Sequence, residues 1–200
     1  MEPGKQGPDH IAALQPDLLS FLATVLAALS TVPVPHCLIG AVALGAWGRP
    51  RATQDLDLLV LADEEARERL IARLSSSDIT VNQQWLAANP MAKDKVTRFA
   101  GTTNPHYPLD IIYASSPHDR AALERRQTVM LHGLSLSVAS PEDLILLKLK
   151  AGRPTDFDDV ISIVKNPRLQ LDLAYLRSWA DRLGLHGELH YVLQAAAASG

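Results

Sequence analysis

The stretch Asp55-Leu56-Asp57-Leu58-Leu59-Val60-Leu61 sets two carboxylates two positions apart at the head of an otherwise apolar run. Such a run reads as a strand, whose two-residue period sends both aspartates out of one face while Leu56 and Leu58 leave by the other. Neighbouring carboxylates in apolar surroundings repel each other and resist desolvation unless a cation or hydrogen-bond donors compensate them. Whatever fold the chain adopts must therefore bury one face of this strand and open the other onto a polar cleft. Tyr107 to Tyr113, rich in β-branched and aromatic residues, poses the same problem, because it carries Asp110 between Leu109 and Ile111. A neighbouring antiparallel strand is expected to bring Asp110 to the same place. Oxygen donors alone favour a hard divalent ion, Mg²⁺ or Mn²⁺, so Asp55, Asp57 and Asp110 are the candidate metal ligands and catalytic residues.

The rest of the pattern supplies a frame for these strands. Leu18, Leu19, Leu22, Val25, Leu26 and Leu29 recur at helical spacing, and Pro33 and Pro35 follow as a stop. His36 to Ile39 reads as a strand and Ala41 to Trp47 as a short helix. Gly40 stands at their junction, where the missing Cβ permits close backbone approach and the helix N-terminus offers free N–H groups to an anion. Asp63 to Leu74 has acids early and arginines late, as a helix dipole favours. Between Ser75 and Thr103 the pattern is weakest, predicting a short strand near Ile79, a helix around Trp85 and a strand from Val96 to Phe99. A helix from Pro117 to Arg126 and a hairpin about Gly133 come next.

From Ser140 the sequence turns helical: Ser140 as N-cap, Pro141 at the first helical position, Asp143 at the capping-box position and Gly152 as stop. Pro154 opens another helix, and two more are predicted over Asp172 to Leu183 and Gly187 to Ala197. The expected fold class is α+β. Residues 1–139 form a minimal core, a short mixed β-sheet flanked by helices with residues 1–10 as a flexible tail, and residues 140–200 form a helical segment that closes the cleft.

Composition narrows the function further. A chain that is 47% hydrophobic and carries a formal charge of −3 can bury a core but has no global attraction for polyanions. The apolar stretch Leu18 to Leu29 is too short for a bilayer, which needs about twenty residues. The single cysteine, Cys37, lies in an apolar run and reads as a small buried hydrophobe, and a cytoplasmic location is expected.

The segment LIGAVALGAWGRPRATQDLDLLV, Leu38 to Val60, resembles the signature of the nucleotidyltransferase superfamily that includes DNA polymerase β. Its elements are a Gly-Gly or Gly-Ser turn, an Asp-x-Asp strand roughly a dozen residues on, and a third acid on a later strand. Gly40-Ala41, Asp55-Leu56-Asp57 and Asp110 match in order and spacing. The lead-in Arg51-x-Thr53-x-Asp55 and the later SPEDLILLKLKAGRPTDFDD are similar to the small bacterial AbiEii-like branch, known as toxins of toxin–antitoxin pairs. The resemblance spans Leu38 to Asp159. It implies metal-dependent transfer of a nucleoside monophosphate from a nucleoside triphosphate (NTP) donor to an acceptor hydroxyl. Gly40, Ala41, Arg51, Thr53 and Lys148 would be nucleotide-binding, with Lys148 also catalytic. The chain departs from many relatives in having Ala41 where they have serine, so that residue offers the phosphate a backbone N–H but no hydroxyl.

Lys148 is reached independently, because Leu144, Leu147, Lys148 and Ala151 share one helix face, and a buried ammonium requires an anion. Asp156 and Asp159 lie in the first turns of the next helix, where acids are stabilising, and are expected to orient Lys148 or Arg153, so that Arg153, Asp156 and Asp159 stand behind the site. His186 and His190, four apart on a helix, lack a third ligand and an HExxH pattern. Trp47, Trp85 and Trp179 are expected in the core. Three outcomes remain open at this level: toxin-like modification of tRNA, with an antitoxin partner and Lys93, Lys95 and Arg98 as a basic patch; adenylylation of a small molecule such as an antibiotic; and a catalytically silent binding module.

Overall fold

A computed structural model of the chain describes residues 14–92, 94–101, 107–131 and 133–198. The expected tail at residues 1–10, and Lys93 of the suggested basic patch, lie outside the described residues. The first half runs α1 (Pro16–Ser30), β1 (His36–Leu38), α2 (Gly40–Trp47), β2 (Leu56–Val60), α3 (Glu64–Ser75), β3 (Ile79–Val81), α4 (Gln83–Ala88) and β4 (Val96–Gly101). It continues with β5 (Leu109–Tyr113), α5 (Pro117–Glu124), β6 (Gln127–Leu131) and β7 (Leu134–Val138). Four helices follow: α6 (Pro141–Ala151), α7 (Pro154–Val164), α8 (Leu173–Leu183) and α9 (His186–Ala198). The fold is α+β, with one mixed sheet and a helical C-terminal part.

The sheet runs in the order β3-β4-β5-β2-β1-β7-β6. β2 lies between β1, to which it is antiparallel, and β5, to which it is parallel. This corrects the antiparallel pairing expected of the two aspartate strands. The chain between them folds α3 and the β3–β4 pair, and β5 then enters antiparallel to β4 and so in the same direction as β2. The two strands are adjacent as expected; only their relative direction differs.

Local signals account for most element boundaries. α1 buries Leu18, Phe21, Leu22, Val25, Ala28 and Leu29 along one stripe and ends before the two prolines. Asp63 caps α3 by accepting the Ala66 N–H at 2.9 Å, and Glu64 and Glu65 occupy the first turn. The weak middle of the sequence folds as β3, α4 and β4, close to the expected positions, and β6 and β7 form the expected hairpin. Cys37 is buried in the core, and burial pushes its thiol up to about 12, in keeping with an inert apolar role.

α6 is the exception to amphipathic reasoning. Leu144, Ile145, Leu146, Lys148 and Leu149 are all buried, whereas Leu147 is half-buried and Ala151 exposed. The four-residue face expected from periodicity is therefore only partly the buried one, because α2, α7 and α8 all pack against α6. Gly152 ends the helix in the left-handed conformation at φ 67, donating its N–H to the Lys148 carbonyl. One hydrophobic core runs through sheet and helices, joining Leu38 and Leu58 to Leu144, Val160 and Val192. Among the described residues no helix is long and apolar enough to cross a membrane.

The start of α6 sits deep in this core. The Ser140 hydroxyl accepts the Asp143 N–H at 3.1 Å and donates to the Asp143 carboxylate at 2.7 Å, with Ser140 only 1% exposed. Ser140→Ala removes a cap and strips a buried carboxylate of a donor. It is expected to lower the unfolding free energy by about 2 kcal/mol in urea denaturation, with an unchanged m-value.

Candidate active site

One row of side chains crosses the sheet on its polar face. Asp57 of β2 pairs in register with Asp110 of β5, and Asp110 pairs with Arg98 of β4. Residues opposite one another on neighbouring strands share a face, so Asp57, Asp110 and Arg98 stand side by side at strand spacings of about 4.8 Å. One position away, Leu56, Leu109 and Phe99 form the matching row on the other face, and all three are fully buried. The alternation read in the sequence therefore holds: the apolar row anchors the strands, and the polar row is left at the surface of a cleft.

Each carboxylate has a different environment. Arg98 grips Asp110 with two donors, Nε to Oδ1 at 2.7 Å and Nη2 to Oδ2 at 2.6 Å. Asp55 lies just before β2 and accepts the Thr53 hydroxyl at 2.5 Å. Asp57 receives no hydrogen bond on its carboxylate from any described residue. Its acid is pushed up to about 6, first by burial and then by the charges of Asp55 and Asp110, against a smaller lowering by Arg153 and Lys148.

Gly40 explains how Asp57 fits. The glycine opens α2 at φ +65, and a Cβ there would collide with the Asp57 carboxylate. The Ile39 N–H donates to the Asp57 carbonyl at 2.9 Å, holding the β1 end and the start of α2 against β2. The glycine thus has two jobs, a left-handed turn and a close approach to a carboxylate. Ala41 is buried in the first turn of α2.

The later residues form a second polar chain. Lys148, only 4% exposed, donates to Asp159 at 2.7 Å and Asp156 at 3.3 Å. Arg153 clasps Asp156 at 2.7 and 3.1 Å, and Arg51 reaches Asp159 at 3.3 Å. The structure therefore ties Arg51, Asp159, Lys148, Asp156 and Arg153 into one relay, with Asp156 and Asp159 supplying the anion that a buried Lys148 requires. Burial alone would raise the Asp156 acid, but the Arg153 hydrogen bonds and the Lys148 and Arg153 charges hold it below the ordinary carboxylate range. A cleft of about 490 Å³ lies on the β4–β5 side, lined by Arg51, Thr53, Gln54, Asp55, Arg98 and Pro108.

The donor set suits a hard cation in its chemistry: three carboxylates, no sulfur or imidazole, and one of them, Asp57, half-buried without a donor. The side chains do not yet enclose an ion. Among the described residues, no three histidine, cysteine, aspartate or glutamate side chains are gathered closely enough to hold a metal. Arg98 on Asp110 and Thr53 on Asp55 occupy oxygens that such an ion would need.

Arg98 is the residue that sequence reasoning placed elsewhere. Assigned to a basic patch, it instead pairs with the third aspartate and lies 5.0 Å from the half-buried Trp85 ring. The register of β4 on β5 would have revealed this, but the intervening loop gives no signal for it. A second buried network also escaped notice. The Asp143 carboxylate accepts the Tyr175 hydroxyl at 2.6 Å, and His118 Nε2 lies 3.2 Å away, out of line for a full hydrogen bond. Although burial opposes it, contacts with His118, Tyr175 and Ser140 keep the Asp143 acid below its usual range. This network fastens α5, α6 and α8 together. Of the other tryptophans, Trp47 donates its indole N–H to the Ala139 carbonyl at 2.8 Å, and Trp179 packs on His118.

No family model matches this chain, and no curated protein matches its sequence. Solved structures do match its fold. It is similar to an antigenic nucleotidyltransferase-like protein from Paracoccidioides brasiliensis at 20% identity and TM-score 0.54, over 91% of this chain and 94% of that one. It is similar to ANT(2")-Ia, solved with adenylyl-2"-tobramycin, at 20% identity and TM-score 0.52, over 92% and 98% of the two chains. It is also similar to the lincosamide antibiotic adenylyltransferase LnuA, solved with lincomycin, at 14% identity and TM-score 0.51, over 75% and 96%. The chain has the nucleotidyltransferase fold.

Two expectations follow from the geometry. Gly40→Ala forces a left-handed alanine and a clash with Asp57, so the melting temperature should fall by about 5 °C or more, the equivalent of about 1–2 kcal/mol in a chain of this size. The second concerns pH. The Asp57 acid is raised in the folded state from 3.8 to about 6, so the stability tied to its protonated form is complete below 3.8 and is lost as pH rises through about 6. Metal-free Asp57→Asn should lack this loss and be more stable than the parent at pH 7.5 by on the order of 2 kcal/mol, as read from urea titrations across the pH range.

Proposed function

We propose that the chain is a metal-dependent nucleotidyltransferase that moves a nucleoside monophosphate from an NTP to an acceptor hydroxyl, forming a phosphodiester bond at the α-phosphorus as the α–β anhydride bond breaks and pyrophosphate leaves. The observation that carries this reading is the pairing of Asp57 with Asp110 across β2 and β5, with Asp55 alongside and Asp57 packed on the glycine that opens α2. A bland acidic strand end needs neither the in-register partner nor the glycine.

Asp55, Asp57 and Asp110 would hold Mg²⁺ or Mn²⁺, which would supply charge neutralisation to the phosphates during transfer. The free N–H groups of Gly40 and Ala41 at the α2 N-terminus bind the triphosphate on the β1 side. Arg153 extends the positive field over the same region: its side chain is 67% exposed, and its charge is felt at Asp57. Thr53 orients Asp55 through its hydroxyl, and Arg51, with Asp159, fixes the loop that leads into β2. The acceptor enters the cleft on the β4–β5 side, opposite the triphosphate, as an in-line displacement demands. Asp110, held by the cleft-lining Arg98, takes the proton of the acceptor hydroxyl.

Between acceptor classes we favour a small hydroxylated molecule. Only two basic side chains, Arg51 and Arg98, line the cleft and Arg51 is paired with Asp159, so the cleft does not offer the row of free cations that a polynucleotide track requires. The likeness to two antibiotic-bound adenylyltransferases over nearly their whole lengths supports the same choice. Toxin-like transfer to tRNA, with an antitoxin partner, is the competing reading suggested by the AbiEii-like segments.

Isothermal titration with each of the four NTPs, with and without Mg²⁺, should show one triphosphate binding only when the ion is present. Turnover against a panel of aminoglycosides, lincosamides and total tRNA identifies the acceptor, and Asp57→Ala should reduce it at least about a thousandfold. Undiminished transfer by Asp57→Ala sinks the mechanism, and triphosphate binding without transfer to any acceptor points to a binding module.

A further inference from the structure

Arg98 and a divalent cation make the same demand on Asp110. The guanidinium takes both oxygens of the carboxylate, at 2.7 and 2.6 Å, in the planar two-donor geometry that leaves the fewest lone pairs for another ligand. The cross-strand register of β4 on β5 dictates this pairing, so it is built into the sheet and not a chance meeting of surface side chains. Arg98 is also felt electrostatically by Asp55 and Asp57, and it is held firmly charged by Asp110 first and then by these two. It already lies over the Trp85 ring, 5.0 Å from the centroid, a face it can keep when Asp110 is released, and it borders the open cleft of Arg51 to Asp55.

We propose that Arg98 is a positioning residue that competes with the divalent cation for Asp110. In the cation-free protein it holds the third carboxylate, and on cation binding it gives up that carboxylate and turns toward the cleft, keeping the Trp85 face. This rests on the proposed role of Asp55, Asp57 and Asp110 as cation ligands. It explains why three converging carboxylates do not already form a closed site among the described residues. It also gives the cluster a cation-free state in which one guanidinium, paired with Asp110, lies within the field of Asp55 and Asp57. The alternative is a cross-strand ion pair that only steadies β4 on β5. The two readings predict opposite signs: if Arg98 merely positions Asp110 for the ion, removing it weakens binding, whereas a competitor's removal strengthens it.

The test is Mn²⁺ binding, followed by the loss of the free-ion resonance in electron paramagnetic resonance. The proteins are the parent, Arg98→Gln, Arg98→Lys, Arg153→Gln and Asp57→Asn. Arg98→Gln should bind Mn²⁺ roughly five- to tenfold more tightly, as expected for losing a part-buried competing ion pair. Arg98→Lys, which cannot make the two-donor contact, should fall between it and the parent. Arg153→Gln removes an equal charge whose field also reaches Asp57 but whose partner is Asp156, so it should gain much less. As a second readout, Mn²⁺ should raise the melting temperature of Arg98→Gln by more than that of the parent. Equal or weaker binding by Arg98→Gln overturns the competition, as does an equal gain in Arg153→Gln, which would reduce the effect to net charge. If the parent's Mn²⁺ site is lost in Asp57→Asn while Arg98→Gln matches the parent, the competition alone fails and the cation site stands. Absence of binding in both the parent and Arg98→Gln overturns both.

Discussion

The structure is organised around a carboxylate that is placed badly for stability. Asp57 is half-buried between the start of α2 and the neighbouring strand, close to two like charges, with no donor of its own among the described residues. Its surroundings are built to tolerate this. The opposite face of the same strand sets Leu56, Leu58 and Val60 into the core, where burial of each side chain contributes about 1.5–3 kcal/mol. A strand so anchored can carry one unfavourable group without losing its register, because a slip of one residue would turn the whole apolar row to solvent. The cost is thus local, and it sits where the proposed chemistry needs a concentration of negative charge.

The C-terminal helices complete the site through charge as well as packing. The relay from Arg51 through Asp159, Lys148 and Asp156 to Arg153 links the loop before β2 to α6 and α7. Buried ion pairs of this kind contribute little net stability against an apolar alternative, since desolvation offsets most of their attraction. Their geometric demands are strict, however. Five side chains that must all satisfy one another fix where α7 lies and hold a cationic edge near Asp57.

Much of this was legible in the sequence because it depended on short-range signals. The two-residue period of Asp55 to Val60, the glycine ahead of a small-residue helix, and the Ser-Pro-x-Asp opening of α6 each specify local structure with a physical cause. Asp110 was found because an isolated acid between Leu109 and Ile111 has no apolar explanation. What could not be read depended on pairings across distance. The parallel direction of β5 is set by the β3–β4 excursion, in the segment with the weakest pattern, and Arg98 reaches Asp110 only through the register of that pair. The buried cluster of Asp143, Tyr175 and His118 draws on three helices, and Asp143 already had a sufficient local reading as a cap residue.

Under the proposed function, Lys148 and Arg153 would divide their work. For the Lys148 ammonium to reach a phosphate it would have to abandon Asp156 and Asp159, leaving two buried carboxylates without their shared cation. Breaking such a buried pair costs about 3–5 kcal/mol, more than one hydrogen bond to a bound phosphate returns. Arg153 faces a smaller cost. Its guanidinium is largely exposed, it shares only Asp156, and that carboxylate keeps Lys148 when Arg153 turns away. The same reasoning applies to Arg98, which can leave Asp110 because a bound cation would replace it there. On the proposed reading the mobile charge is in both cases a guanidinium whose departure would leave a carboxylate with another cation, while the buried ammonium between two acids would stay in place.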